Sequence, residues 1–175
     1  LNSGYYAVDN NGEFVEEDGV AEVECEAGFY CSGGNRMLCD MAGDYCEAGS
    51  TEQRACAPGY FCPNSATQTE CSLGFYCPAG STIETDCSSG SFCSTPASEL
   101  PCTKGHFCSP GSAFLNSLNS GYYAVDNNGE FVEEDGVAEV ECEAGFYCSG
   151  GNTMLCDMVC HYCQASPTIQ RSWSP

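Results

Sequence analysis

The chain has 175 residues, 17 of them cysteine, with 4 Lys plus Arg against 25 Asp plus Glu and a formal charge of −21. So few cations cannot neutralise phosphates or hold a helix on anionic lipid, which excludes nucleic acid as a partner. No apolar run reaches the ~20 residues that cross a bilayer, so we predict no membrane insertion in this segment. The cysteine content is typical of disulfide scaffolds in oxidising compartments and predicts an extracellular protein, secreted or at the cell surface.

A long internal repeat organises the chain. Residues 118–158 repeat residues 1–41 after 117 residues, with one change, from Arg36 to Thr153. We expect tandem modules that stack with a constant step, which generates a filament. A recent duplication without functional meaning is the alternative. The match decays over 156–175, where Cys160 replaces Gly43, and we assign no functional residue to that doubtful stretch.

Residues 1–24 and their copy, residues 118–141, have no cysteine and form the first predicted element. In the second copy, Tyr122–Ala124 and Glu130–Val132 alternate around Asn127-Asn128-Gly129, and the equivalent turn is Asn10-Asn11-Gly12. Asn-Gly between alternating segments is a strong hairpin signal. We predict a two-stranded β-hairpin in each period, packed on the cysteine modules or on another chain because an isolated hairpin is marginally stable.

An acidic cluster flanks the first turn. Its carboxylates are weak candidates for calcium ligands, although the spacing fails the EF-hand pattern: Asp9, Glu13, Glu16, Glu17 and Asp18. The alternative is a solvated acidic face that keeps the protein soluble. Calcium is the one possible cofactor; otherwise we predict none.

Residues 25–117 contain six segments that we call brackets, each of the form C-x-x-G-x-(Phe or Tyr)-C or one residue longer. They begin at Cys25, Cys39, Cys56, Cys71, Cys87 and Cys102, and a new array begins at Cys142 and occupies residues 142–175. The Gly suits a turn with positive φ between two cross-linked points. The aromatic residues before each second cysteine are predicted to stack as a ladder: Tyr30, Tyr45, Phe61, Tyr76, Phe92 and Phe107.

The cysteines from Cys25 to Cys108 number twelve, so all can pair, but a sequence does not fix the connectivity. We predict that the second cysteine of a bracket joins the first cysteine of the next, with interleaved pairing across two brackets as the main competitor. The predicted pairs are Cys31–Cys39, Cys46–Cys56, Cys62–Cys71, Cys77–Cys87, Cys93–Cys102 and Cys108–Cys142.

The spacers between brackets are polar and rich in Gly, Pro, Ser and Thr, which indicates turns and short extended segments. No N-x-Ser/Thr sequon occurs, so glycans would be O-linked. The candidates are Ser50, Thr51, Thr67, Thr69, Ser81, Thr82, Thr85, Ser94 and Thr95. One histidine per period, His106, fills a variable bracket position and is predicted to be a solvent-facing filler rather than a general base.

The pattern is clearest in CSLGFYCPAGSTIETDC, at residues 71–87. It resembles the ephrin-receptor-like cysteine-rich repeats of extracellular proteins, which are similar to EGF-like and TNF-receptor-like modules. The resemblance covers residues 25–108 and 142–163 and implies stalks, spacers and protein-binding rods. The acidic, cysteine-rich composition resembles, more loosely, the mastigoneme-type filament proteins of protist flagellar hairs.

Together these features predict a small disulfide-rich fold. It is a linear array of short irregular or β mini-repeats with one β-hairpin per 117-residue period and little helix. The predicted function is that of a non-enzymatic structural subunit of an extracellular filament, with further copies of itself as partner and glycans as attached groups. The alternatives are the rod-like stalk of a receptor or adhesin and a calcium-rigidified spacer.

Overall fold

A computed structural model describes residues 2–16, 19–155, 161–162 and 171–172. Over these residues every regular element is a β-strand. The described residues therefore contain no helix long and apolar enough to cross a membrane. The strands are β1 Tyr5–Val8, β2 Ala21–Glu24, β3 Phe29–Ser32, β4 Asn35–Leu38, β5 Asp44–Tyr45, β6 Arg54–Ala55, β7 Tyr60–Asn64, β8 Thr67–Glu70, β9 Phe75–Tyr76, β10 Thr85–Asp86, β11 Ser91–Thr95, β12 Ser98–Pro101, β13 His106–Phe107, β14 Asn116–Ser117, β15 Tyr122–Val125, β16 Ala138–Glu141, β17 Phe146–Ser149, β18 Asn152–Leu155, β19 His161–Tyr162 and β20 Arg171–Ser172.

Each strand pairs with its neighbour in the chain, so the described sheets are all two-stranded. The predicted array of disulfide-rich mini-repeats is confirmed, but the hairpins are more numerous than one per period. Every described bracket places its aromatic residue and, in the longer hairpins, its second cysteine on a strand, and the polar spacer that follows returns as the partner strand. The bracket glycine makes the turn that leads into the hairpin; Gly28, for example, has φ of 90°.

Long and short hairpins alternate along the array. The Cys25, Cys56 and Cys87 brackets carry strands of four or five residues, whereas the Cys39, Cys71 and Cys102 brackets carry strands of two. The structural repeat is therefore a pair of brackets.

The cysteine-free segments form hairpins in both copies, as predicted, but with a different second strand. Tyr122–Val125 pairs with Ala138–Glu141, and only the bridge between Val125 and Phe131 joins it to the segment expected to be its partner. The equivalent strands in the first copy pair in the same register. Within residues 130–136, Glu133-Glu134-Asp135 is a run of acidic residues, which are poor strand formers, whereas Ala138–Glu141 alternates between apolar and acidic side chains.

The predicted disulfide connectivity is wrong. Each described cystine closes its own bracket: Cys25–Cys31, Cys39–Cys46, Cys56–Cys62, Cys71–Cys77, Cys87–Cys93, Cys102–Cys108 and Cys142–Cys148. None of the six predicted pairs forms: Cys31–Cys39, Cys46–Cys56, Cys62–Cys71, Cys77–Cys87, Cys93–Cys102 and Cys108–Cys142.

The register of the bracket hairpins gives the reason. Cys31 lies opposite Arg36 on the neighbouring strand, and Phe29 lies opposite Leu38. Cys39 therefore comes level with Gly28, whose carbonyl accepts its N–H at 3.0 Å. The turn within the bracket meanwhile brings the Cα atoms of Cys25 and Cys31 to 5.9 Å, an ordinary span for a disulfide.

Sulfur replaces an aliphatic core in this fold. Apart from the cysteines, the buried hydrophobic residues are Tyr6, Ala7, Val8, Ala124 and Val125, all on the two cysteine-free hairpins. No polar or charged side chain is buried among the described residues. The fold thus depends on cross-links and on backbone hydrogen bonds between brackets.

The chain divides into two compact units. The first consists of Leu1–Ser72 and Tyr76–Thr85, and it holds β1 to β8 and the Cys71–Cys77 cystine. The second consists of Leu73–Phe75 and Asp86–Pro175 and holds β11 to β20. Each unit thus contains a cysteine-free hairpin together with consecutive brackets.

Candidate functional site

The recurring feature of both units is a backbone joint between successive brackets. In the first unit, Gly28 donates its N–H to the carbonyl of Cys46 at 2.8 Å and accepts the N–H of Cys39 at 3.0 Å. The same glycine therefore holds both cysteines of the next bracket. The joint recurs at Gly59 with Cys77 and Cys71, and in the second unit at Gly74 with Cys93 and Cys87 and at Gly90 with Cys108 and Cys102.

A second joint links a long-hairpin bracket to the Gly-Ser dipeptide that follows the next bracket. The carbonyl of Cys25 accepts the N–H of Gly49 at 2.7 Å, and Cys31 donates its N–H to the carbonyl of Ser50 at 2.8 Å. The same pair of bonds recurs 31 residues later at Cys56 and Cys62, with Gly80 and Ser81, and again at Cys87 and Cys93, with Gly111 and Ser112.

The sequence analysis missed this two-bracket period, although its signal is present. Successive first cysteines are unevenly spaced, but Cys25, Cys56 and Cys87 follow one another at 31 residues. The Gly-Ser dipeptides that complete the second joint, Gly49-Ser50 and Gly80-Ser81, follow the same spacing.

The predicted aromatic ladder does not form among the described residues. All six of its side chains are half-buried, but the ring pairs in contact are Tyr6 with Phe14 and Tyr123 with Phe131, each at 6.0 Å between centroids. Brackets meet through backbone hydrogen bonds, so their rings do not carry the contact. The residues of the predicted ladder are Tyr30, Tyr45, Phe61, Tyr76, Phe92 and Phe107.

The turn of the first hairpin is held by an aspartate. Asp9 Oδ1 accepts the backbone N–H groups of Asn11 at 2.8 Å and Glu13 at 2.9 Å, and its carbonyl accepts that of Gly12. The hydrogen bond from Glu13, and then that from Asn11, hold the pKa of the Asp9 carboxyl below its ordinary value, because they favour the charged form. Asp126 repeats these contacts in the second copy.

The calcium candidates are not gathered into a site among the described residues. Asp9 is committed to its own loop, and the side chains of Glu13 and Glu16 are exposed. Glu17 and Asp18 lie outside the described residues. Calcium binding by these side chains stays a prediction.

In the second copy, the counterparts of the last acidic residues have other contacts. Glu133 lies 3.2 Å from the Nζ atom of Lys104. Asp135 adopts a positive φ of 57° and donates its N–H to the carbonyl of Cys102 at 2.9 Å. Asp135 therefore donates to the first cysteine of a bracket in the same way as Gly49 and Gly80 do.

One group of potential metal ligands occurs among the described residues: Cys87, Cys93 and Glu99. The two sulfur atoms are joined to each other, so neither offers a thiolate. Glu99 accepts the N–H of Ser88 at 2.7 Å and so fixes the start of the bracket.

The O-glycan candidates divide by exposure. Thr51, Thr67, Thr69, Thr82, Thr85 and Thr95 are exposed, whereas Ser50, Ser81 and Ser94 are half-buried. Ser81 donates its hydroxyl to the carbonyl of Pro78 at 2.7 Å, and Thr95 pairs with the Ser98 hydroxyl at 2.7 Å. Glycosylation of all nine stays a prediction, with the exposed threonines as the accessible positions.

The His106 ring is half-buried on β13. Its Nδ1 atom lies 3.3 Å from the Thr103 hydroxyl and 3.2 Å from the carbonyl oxygen of Lys104, both in its own turn. The contacts of the His106 ring are thus made within its own bracket turn.

Comparison with known proteins does not assign the chain to a family: no family model matches it, and no curated protein has significant sequence similarity to it. The resemblance to ephrin-receptor-like and EGF-like modules and to mastigoneme-type proteins therefore stays a prediction.

Proposed function

We propose that the chain is a non-enzymatic, structural segment of an extracellular filament built from tandem disulfide-rich repeats. The observation that carries the proposal is the repetition of the joint: Gly28, Gly59, Gly74 and Gly90 each hold both cysteines of the next bracket through the same pair of backbone hydrogen bonds. A joint that repeats identically imposes the same step each time, which is the requirement for an array of unlimited length.

The 117-residue repeat supports the same proposal. Near-identity over 41 residues means that each period begins with the same cysteines and bracket glycine. Cross-links at every described bracket fix the backbone without an aliphatic core, which suits an element exposed to solvent along its length. Cystines persist in oxidising compartments, so an extracellular location fits the same chemistry.

The experiment is a length series. Chains with one, two and three copies of the 117-residue period would be produced under oxidising conditions and measured by small-angle X-ray scattering and negative-stain microscopy. We expect the maximum dimension to increase by a constant increment per period and the longest chains to show helical order. A maximum dimension that grows only as a compact particle does would overturn the proposal.

The same series separates the alternatives. Isolated rods that do not associate in sedimentation velocity would favour a receptor or adhesin stalk over a filament subunit. Loss of stiffness in chelator would favour a calcium-rigidified spacer.

A further inference from the structure

The single substitution in the long repeat changes one local environment. Over the 41 repeated residues the two copies differ only at Arg36 and its counterpart Thr153. The residues around this position are otherwise the same in both copies, so each copy serves as a control for the other.

In the first copy the arginine is enclosed by aromatic rings and a carboxylate. The guanidinium carbon of Arg36 lies 3.6 Å from the centroid of the Phe29 ring and 5.7 Å from that of Tyr6. Its Nη2 atom lies 2.8 Å from Glu26 Oε2, and Tyr6 donates its hydroxyl to Glu26 Oε1 at 3.2 Å. The guanidinium thus has a ring face and an anion, the two groups that recognise it best.

In the second copy the same walls surround a hollow. The short Thr153 side chain leaves a cavity of about 190 Å³ lined also by Tyr123, Phe131, Glu143 and Phe146. The Tyr123 and Phe131 rings keep the arrangement of their counterparts, at 6.0 Å and 58° in both copies. The aromatic walls are therefore in place without a cation.

Two further observations indicate a missing cation. The carboxylate of Glu143 has no hydrogen bond or ion pair with any described residue, whereas its counterpart Glu26 holds both Arg36 and Tyr6. Tyr123 is half-buried, whereas Tyr6 is 7 % exposed beneath the guanidinium.

We propose that the cavity at Thr153 binds the guanidinium group of an arginine side chain supplied by another polypeptide. The first copy shows the mode, because Arg36 stacks on Phe29 and pairs with Glu26. In the second copy the incoming guanidinium stacks on the Phe146 ring and pairs with Glu143. Arginine suits the site better than lysine because its guanidinium is planar and more weakly hydrated, so it stacks on a ring face. The inference does not depend on the proposed filament function.

The test uses the oxidised 175-residue chain and the probe N-acetyl-arginine-N-methylamide, followed by NMR of the Tyr123 and Phe146 rings. We expect saturable shifts confined to the lining residues. The neutral glutamine analogue should cause none, and the lysine analogue should bind several-fold more weakly. Absence of saturable shifts with the arginine probe would overturn the proposal.

Two reciprocal variants match the natural difference between the copies. Thr153→Arg fills the cavity and should abolish binding. Arg36→Thr opens an equivalent cavity in the first copy and should raise the number of sites from one to two. Binding that survives Thr153→Arg would locate the probe elsewhere and overturn the assignment.

A third variant tests the site without altering its packing. Glu143→Gln removes an exposed charge that has no partner among the described residues, so the fold should be unaffected while affinity falls at least several-fold. Peptides of five residues with a central arginine distinguish the source of the cation. Tighter binding than that of the single-residue probe supports a polypeptide partner, whereas equal binding shows a site for small cations and overturns that part of the proposal.

Discussion

Gly43 and Gly80 approach each other so closely that a Cβ atom on Gly43 would overlap the carbonyl oxygen of Gly80. Cys56 joins the two glycines, because it donates its N–H to the carbonyl of Gly43 at 2.7 Å and accepts the N–H of Gly80 at 2.8 Å. In the first unit, the contact between alternate brackets is thus made by backbone, and glycine is the residue that allows it.

Gly43→Ala should therefore destabilise the fold for two separate reasons. The φ of 82° costs a residue with a side chain about 1–2 kcal/mol, and the overlap with Gly80 adds about 1–3 kcal/mol. The matched control is Gly12→Ala, whose φ is 81° but whose Cβ would meet no atom within 4 Å. Denaturant unfolding without reductant should rank Gly43→Ala as clearly less stable than Gly12→Ala; equal losses would contradict the close approach.

The sequence predicted the brackets well because their glycine, aromatic residue and cysteines recur in fixed phase. It did not predict the pairing within each bracket, because any of the twelve cysteines can in principle pair with any other. What decides the pairing is the hairpin register that sets Cys31 opposite Arg36 and Cys39 level with Gly28. Register depends on the spacer turn, which the alternation of polar residues specifies weakly.

The predicted ladder was wrong for a related reason. A ring recurring beside each second cysteine says nothing about its distance from the next ring, since that distance is set by the backbone joints. The acidic segment shows the same limit: composition suggested ligands, whereas Asp9 and Asp126 act as turn residues through hydrogen bonds that depend on local geometry.

Reduction should unfold the chain completely, because the buried residues are mainly half-cystines. Each bracket closes a loop of six or seven residues, which contributes about 2 kcal/mol in the chain-entropy model. We expect excess reductant to abolish the near-ultraviolet circular dichroism signal. The amides that exchange slowly in the oxidised chain should then exchange rapidly. The paired variant Cys87→Ala and Cys93→Ala should cost about 2–5 kcal/mol. Native-like amide protection in the reduced chain would contradict the role of the cystines.

The aspartate turns predict a loss of stability in acid. The carboxyls of Asp9 and Asp126 have pKa values below the ordinary one when folded, mainly because backbone N–H groups of Glu13 and Glu130 donate to them. Their contribution is therefore complete above the unfolded pKa of about 3.9 and disappears as pH falls through the folded pKa. Carboxyl-carbon NMR titration should give both folded values directly.

The paired variant Asp9→Asn and Asp126→Asn should weaken the dependence of unfolding on pH below about 4. The control Glu13→Gln removes a charge from the same loop while leaving the accepting carboxylate of Asp9 intact, so the acid loss should persist. An Asp9 carboxyl that titrates at or above about 3.9 would show that the turn hydrogen bonds do not form in solution.

Trypsin can read the disulfide connectivity directly, because three of its cleavage sites fall between informative cysteines. Cleavage after Arg36, Arg54, Lys104 and Arg171 without reduction separates residues 1–36, 37–54, 55–104, 105–171 and 172–175. With each bracket closed on itself, fragments 1–36 and 37–54 should be free, and only 55–104 and 105–171 should remain linked, through Cys102–Cys108. Pairing between neighbouring brackets would instead link the first three fragments through Cys31–Cys39 and Cys46–Cys56. It would leave 105–171 separate, because Cys93–Cys102 and Cys108–Cys142 would each lie within one fragment. Mass spectrometry of the denatured, thiol-blocked digest distinguishes the two patterns, and a mass for 1–36 joined to 37–54 would refute closure within the bracket.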